Sequence, residues 1–108
     1  MFIACEGEQV LGFVLGTPAR GVINALYVAP EAAHRGVGTR LLTAMEEALR
    51  GKGVPEATLN SSLTSVSFYR SRGYRTLEPT VNTLPSGIEL PCVAMSKALA
   101  PDGDPLRD

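Results

Sequence analysis

Residues 34–39 read His-Arg-Gly-Val-Gly-Thr, and they link an apolar run at 22–28 to an amphipathic helix pattern that begins at Gly38. Two glycines one residue apart let the backbone turn tightly and feed straight into a helix start. Successive N–H groups then point outward, towards a place where an anion can sit. A bare tight turn is the simplest reading of an isolated Gly-x-Gly. Two nucleotide readings fail on the residues that follow. A Walker-type phosphate loop needs Lys-Ser/Thr after its last glycine, and Thr39-Arg40 stands there. A dinucleotide fingerprint needs Gly or Ala at the position held by Leu41.

The flanking sequence sets the layer into which this turn is built. Residues 2–5 and 9–15 are strand-like runs around Glu6-Gly7-Glu8, which predicts a hairpin. Residues 22–28 form a third strand, ended by Ala29-Pro30. In the first helix, Leu41, Leu42, Met45, Ala48 and Leu49 recur at helical spacing. Glu46 is read on the opposite, polar face, where it pairs with Arg50 at i,i+4. Residues 57–60 predict a short buried strand. Ser61 or Ser62 then caps a second helix, which runs to about Arg72 and closes at Gly73. Extended segments at 74–77 and 89–95 flank a turn at Pro85-Ser86-Gly87. The predicted fold class is α/β (α+β): a mixed, mostly antiparallel sheet flanked by helices, with one crossover through the first helix.

Composition narrows the partners. The 108 residues carry a formal net charge of −1, so no nucleic-acid footprint is expected. No apolar stretch reaches a membrane span, and the N-terminus, Met-Phe-Ile-Ala-Cys-Glu, does not read as a secretory signal. A cytoplasmic protein with two buried thiols, Cys5 and Cys92, is expected. His34 is the sole histidine, and no metal site is expected.

The segments Leu26-Tyr27-Val28-Ala29-Pro30 and Ala33 to Leu42 together resemble the acyl-CoA-binding segment of the GNAT superfamily of N-acetyltransferases. That family's pattern is Gln/Arg-x-x-Gly-x-Gly/Ala, preceded by a strand ending in apolar-x-Val and a proline. Ser65-Val66-Ser67-Phe68-Tyr69-Arg70-Ser71-Arg72-Gly73-Tyr74 resembles the family's later signature, and residues 89–97 resemble its last strand. The resemblance covers roughly residues 2–99, leaving 100–108 as a flexible tail. Ala33 stands where Gln or Arg is usual, and Ser62 where many members place Asn. The first strand of this chain is similar to the family's second. The helices that wall the acceptor site in the family would precede it.

The resemblance implies an acetyl-CoA-dependent N-acetyltransferase acting on a small-molecule or peptide amine by direct attack in a ternary complex. His34, Arg35, Gly36, Val37, Gly38 and Thr39 would hold the pyrophosphate. Leu26, Tyr27 and Val28 would pair with the pantetheine arm as an added strand, and the Val28 N–H would face the thioester carbonyl. Ser62 and Phe68 complete the implied cofactor set, and Tyr69 is the implied acid for the leaving thiolate. Glu31 and Glu56 are the nearest carboxylates in sequence, but a water chain along Ser61, Ser62, Thr64 and Ser65 is the default base. The alternatives are a non-catalytic CoA-binding module and a dimeric interaction protein; a homodimer fits either.

Overall fold

The computed structural model describes residues 1–99, so the 100–108 tail lies outside the described residues. In chain order the elements are β1 (Phe2–Glu6), β2 (Gln9–Thr17), β3 (Val22–Val28), α1 (Val37–Gly51), β4 (Glu56–Ser62), α2 (Val66–Ser71), β5 (Arg75–Thr83) and β6 (Glu89–Ala98). The six strands form one sheet in the order β1-β2-β3-β4-β6-β5. β3 and β4 are parallel, as a crossover through α1 requires, and the other pairs are antiparallel. Among the described residues no helix is long and apolar enough to cross a membrane.

The core lies between α1 and one face of the sheet. α1 buries Val37, Leu41, Leu42, Met45 and Leu49 against Val14, Ile23, Leu59 and Met95 from four strands. Each such large side chain removed from water contributes about 1.5–3 kcal/mol. The helix sits close because β2 offers no side chain beneath it at Gly16. A Cβ there would come within 2.8 Å of the Met45 sulfur. On the opposite face the Phe13 and Tyr27 rings stack at 5.4 Å, and Ile3 pairs beside Phe13 with half of its surface exposed.

Two irregularities shape the middle of the sheet. In β3, Leu15 faces Ala25 while Gly16 faces Ile23, so Asn24 is an extra, bulged residue. Thr17 Oγ1 donates to its Oδ1 at 2.8 Å. Below the bulge β3 and β4 pair only at Val22–Thr58 and Ile23–Leu59; above it they part.

The structure corrects several sequence expectations. Ser61 and Ser62 are the last residues of β4 rather than helix caps. A 3₁₀ turn, Leu63–Ser65, intervenes, and α2 starts from Ser65 without a side-chain cap bond. β5 and β6 extend further than read, because Pro79 sits in an outer strand and Pro91 lies beyond the reach of β4, where the ladder does not need their missing N–H. Cys5 is exposed, Cys92 is buried, and both are free. Glu46 is not on the polar face: it is 4% exposed, and it bonds Tyr74 and Lys97 rather than Arg50.

Candidate active site

The chain between β3 and α1 builds the first wall of a site. Pro30–Ala32 form a 3₁₀ turn, after which His34 adopts φ 64° and Gly36 φ 80°. A left-handed backbone at 36 is what glycine allows without a Cβ clash. It also makes Gly36 the N-cap of α1, with no side chain bonding back to the first turn. The first N–H groups of a helix have no intrahelical partner. At this end the Arg40 N–H is the first to be taken up, by the Gly36 carbonyl at 3.1 Å, so those of Val37, Gly38 and Thr39 face outward at the positive end of the helix. Such an array fits a phosphate.

The free edge of β3 is the second wall. The Ala29 N–H donates to the Leu11 carbonyl at 2.8 Å, so residues 25, 27 and 29 turn their main-chain groups to β2. Antiparallel alternation then directs the N–H and C=O of Leu26 and Val28 to the other edge. There β4 has already diverged, and the edge is open to a ligand.

α2 is the third wall. Phe68 and Tyr69 meet edge to face at 5.2 Å and 73°, and Tyr69 meets Tyr74 in the same way at 5.7 Å and 72°. Tyr69 is 8% exposed, and it lines the cleft. Burial pushes its pKa above the ordinary 10.0, so the hydroxyl keeps its proton through the neutral range.

These walls enclose a cleft of about 520 Å³. The structure brings Leu26, Tyr27, Val28, His34, Gly36 and Val37 to its lining, together with Gly38, Thr39, Phe68 and Tyr69. Arg35 and Ser62 stand outside it. The Arg35 guanidinium pairs with Glu6 Oε2 at 3.0 Å on the exposed β1–β2 turn. Ser62 Oγ donates to Ser65 Oγ at 3.0 Å and lies 3.4 Å from Thr64 Oγ1. Ser65 lines the cleft in its place, with Ala32 and Ala33, which the sequence reading left out of the cofactor set. The alanines carry no polar signal, whereas Ser65 opens the segment that contains Tyr69.

A second cleft, of about 420 Å³, is lined by uncharged residues of β3, β4, β5 and β6, among them Asn24, Thr58, Asn60 and Asn82. Neither cleft is lined by a carboxylate. Glu31 accepts from Gln9 at 3.2 Å and Glu56 lies 3.9 Å from Arg75, so both nearest acids have partners elsewhere. Among the described residues no group of three His, Cys, Asp or Glu side chains gathers to hold a metal.

The chain is similar to several solved acetyltransferases. The family model of the acetyltransferase (GNAT) domain matches residues 1–98. A GCN5-related N-acetyltransferase from Rhodopseudomonas palustris superposes with a TM-score of 0.82 at 31% identity, over 90% of this chain and 59% of that one. An acetyltransferase from Bacillus cereus gives 0.75 at 28% identity, over 91% and 71%. An aminoglycoside 6'-N-acetyltransferase complexed with coenzyme A shares the fold, at 0.71 and 19% identity, over 92% and 72%. No curated protein matches the chain in sequence. The chain thus spans about three fifths of the length of the Rhodopseudomonas protein. With the family model matching nearly all the described residues, the chain belongs to the GNAT acetyltransferase family.

Proposed function

We propose that the protein transfers an acetyl group from acetyl-CoA to a primary amine, by direct attack of the amine on the bound thioester. The observation that carries this reading is one cleft with three complementary walls: free N–H groups at a helix start, an unpaired strand edge and the hydroxyl of a largely buried tyrosine. The N–H groups of Val37, Gly38 and Thr39 hold the pyrophosphate. Leu26 and Val28 take the pantetheine amides as an added strand. The Val28 N–H lies on the same edge and stabilises the charge that develops on the carbonyl oxygen.

As the amine nitrogen bonds to the carbonyl carbon, the C–S bond breaks and Tyr69 donates its proton towards the sulfur. A thiol has pKa about 8.5 and tyrosine about 10, so full transfer is uphill by roughly 2 kcal/mol in water. The same burial that raises Tyr69 makes a desolvated thiolate more basic, which keeps the pair matched. The amine loses its proton to water along Ser62, Thr64 and Ser65, whose hydroxyls already lie in hydrogen-bond reach of one another. The uncharged cleft beside Asn24 and Asn60 is the approach for the amine.

The test is calorimetry with CoA, followed by thiol release from acetyl-CoA with a panel of amines: glycinamide, an alanyl peptide, lysinamide, spermidine and kanamycin. Binding with turnover of one amine supports the reading, and Tyr69→Phe should then lower kcat about 100-fold at unchanged CoA affinity. Binding without turnover favours a CoA-binding module, and no heat with CoA would sink the cofactor assignment.

A further inference from the structure

Buried Glu46 and Tyr74 form, with half-buried Lys97, a cluster that the proposed reaction does not use. Glu46 projects from the core face of α1, between Leu42 and Leu49 in the helical repeat. Its Oε2 accepts from the Tyr74 hydroxyl at 2.7 Å, and its Oε1 accepts from Lys97 Nζ at 3.1 Å. Lys97 stands on β6, and its ammonium lies 5.7 Å from the centre of the Tyr74 ring. Its methylenes press on Gly73, where a Cβ would meet Lys97 Cε at 3.3 Å. Tyr74 is therefore gripped at both its hydroxyl and its ring.

What Tyr74 touches gives the cluster a role. Its N–H donates to the Tyr69 carbonyl at 3.0 Å and closes α2. Its ring supports the Tyr69 ring edge to face. Glu46 belongs to the helix whose first turn builds the phosphate wall, and Tyr69 to the helix that builds the opposite wall. The connection between those walls runs from α1 through Glu46 and Tyr74 to Tyr69.

We propose that Glu46 and Lys97 clamp Tyr74 as a positioning residue, which fixes the Tyr69 hydroxyl relative to the N-terminus of α1. The proposal rests on the reading of Tyr69 as proton donor. Proton transfer needs a heavy-atom separation near 3 Å, and a displacement of about 1 Å costs on the order of 100-fold in rate. Releasing one hydroxyl anchor allows a smaller movement than that, and the expected loss is about tenfold.

The experiment is a double-variant cycle. Wild type, Tyr69→Phe, Tyr74→Phe and the double variant are compared for acetyl transfer to the amine of the panel that is turned over, and for CoA affinity. The expected result is that Tyr74→Phe keeps CoA affinity and the KM for acetyl-CoA, loses kcat about tenfold, and adds nothing to Tyr69→Phe. A wild-type kcat in Tyr74→Phe, or a loss that multiplies onto Tyr69→Phe, overturns the clamp while the donor reading stands. A wild-type kcat in Tyr69→Phe overturns the donor reading and the clamp with it. Should Tyr74→Phe fail to fold, Glu46→Gln and Glu46→Leu decide. Gln keeps an oxygen for Tyr74 and retains most of kcat, whereas Leu falls about tenfold; equal rates overturn the clamp.

A second measurement needs no acceptor. The chain has three tyrosines and no tryptophan, so phenolate absorbance reads them directly. In Tyr27→Phe only Tyr69 and Tyr74 remain to ionise, both raised by burial, and the first step is the one followed. Adding Tyr74→Phe should move that ionisation down towards 10.0 as water reaches the loosened ring, and an unmoved ionisation overturns the clamp.

Discussion

The two ends of α1 treat polar groups in opposite ways. At its first turn the N–H groups of Val37, Gly38 and Thr39 are left without side-chain caps, on a backbone held in left-handed geometry at His34 and Gly36. Further along, Glu46 is buried with both oxygens engaged. Unpaired donors at a surface cost little, because water serves them until a ligand arrives. A carboxylate in the core is tolerable only when fully paired. One end of the helix is thus open to a ligand and the other is closed on the fold.

Breaking the closed end gives the largest expected effect. Lys97→Ala leaves the Glu46 charge buried without its counter-ion and should cost about 3–5 kcal/mol in urea unfolding. Combining Glu46→Gln with Lys97→Met removes both charges and should recover most of it. A loss below about 1 kcal/mol in Lys97→Ala would place this pair with ordinary surface pairs and erase the contrast.

Alkaline pH probes the same end. Tyr74 is raised above 10.0 first by burial and then by its bond to Glu46, and Tyr69 is raised by burial. A group whose folded pKa exceeds its unfolded value contributes stability that is whole below the unfolded pKa and is lost as pH rises. Stability should therefore hold up to about pH 10 and fall above it by up to about 1.4 kcal/mol per pH unit for each tyrosine. In Tyr74→Phe the slope should halve; an unchanged slope in the urea midpoints would show that Tyr74 ionises freely.

At the open end the expected effects on stability are smaller. Gly36→Ala forces a Cβ into left-handed backbone and should cost about 1–2 kcal/mol. It should also weaken CoA binding about tenfold in calorimetry, since the N–H array is displaced. Smallest is Arg35→Gln. Its ion pair with Glu6 is exposed, so the thermal midpoint should register no more than about 0.5 kcal/mol.

The open end was legible in the sequence and the closed end was not, for a physical reason. The glycine turn, the strand before it and the Phe68-Tyr69 pair are local signals, and the cleft is lined by the very segments that carry them. Glu46 follows another rule. A glutamate four residues before Arg50 matches the pattern of a solvated helical pair. Its actual partners stand 28 and 51 residues away, and no local pattern reports them. A clue was present: position 46 falls four after Leu42 and three before Leu49, on the apolar stripe. α2 was read too long because the serines at 61 and 62 fit a cap, whereas the β4–β6 ladder runs on through Ser62 opposite Cys92.

The parting of β3 from β4 has a thermodynamic consequence. A strand edge inside a folded sheet, paired at only two positions, is in the proposed reading an interaction left for the cofactor to complete. A ligand that binds only the folded state stabilises it by RT ln(1 + [L]/Kd), about 2.7 kcal/mol at a hundredfold excess over Kd. On that reading the melting temperature of this small sheet should gauge occupancy, climbing with CoA concentration and needing no acceptor, label or turnover to be read.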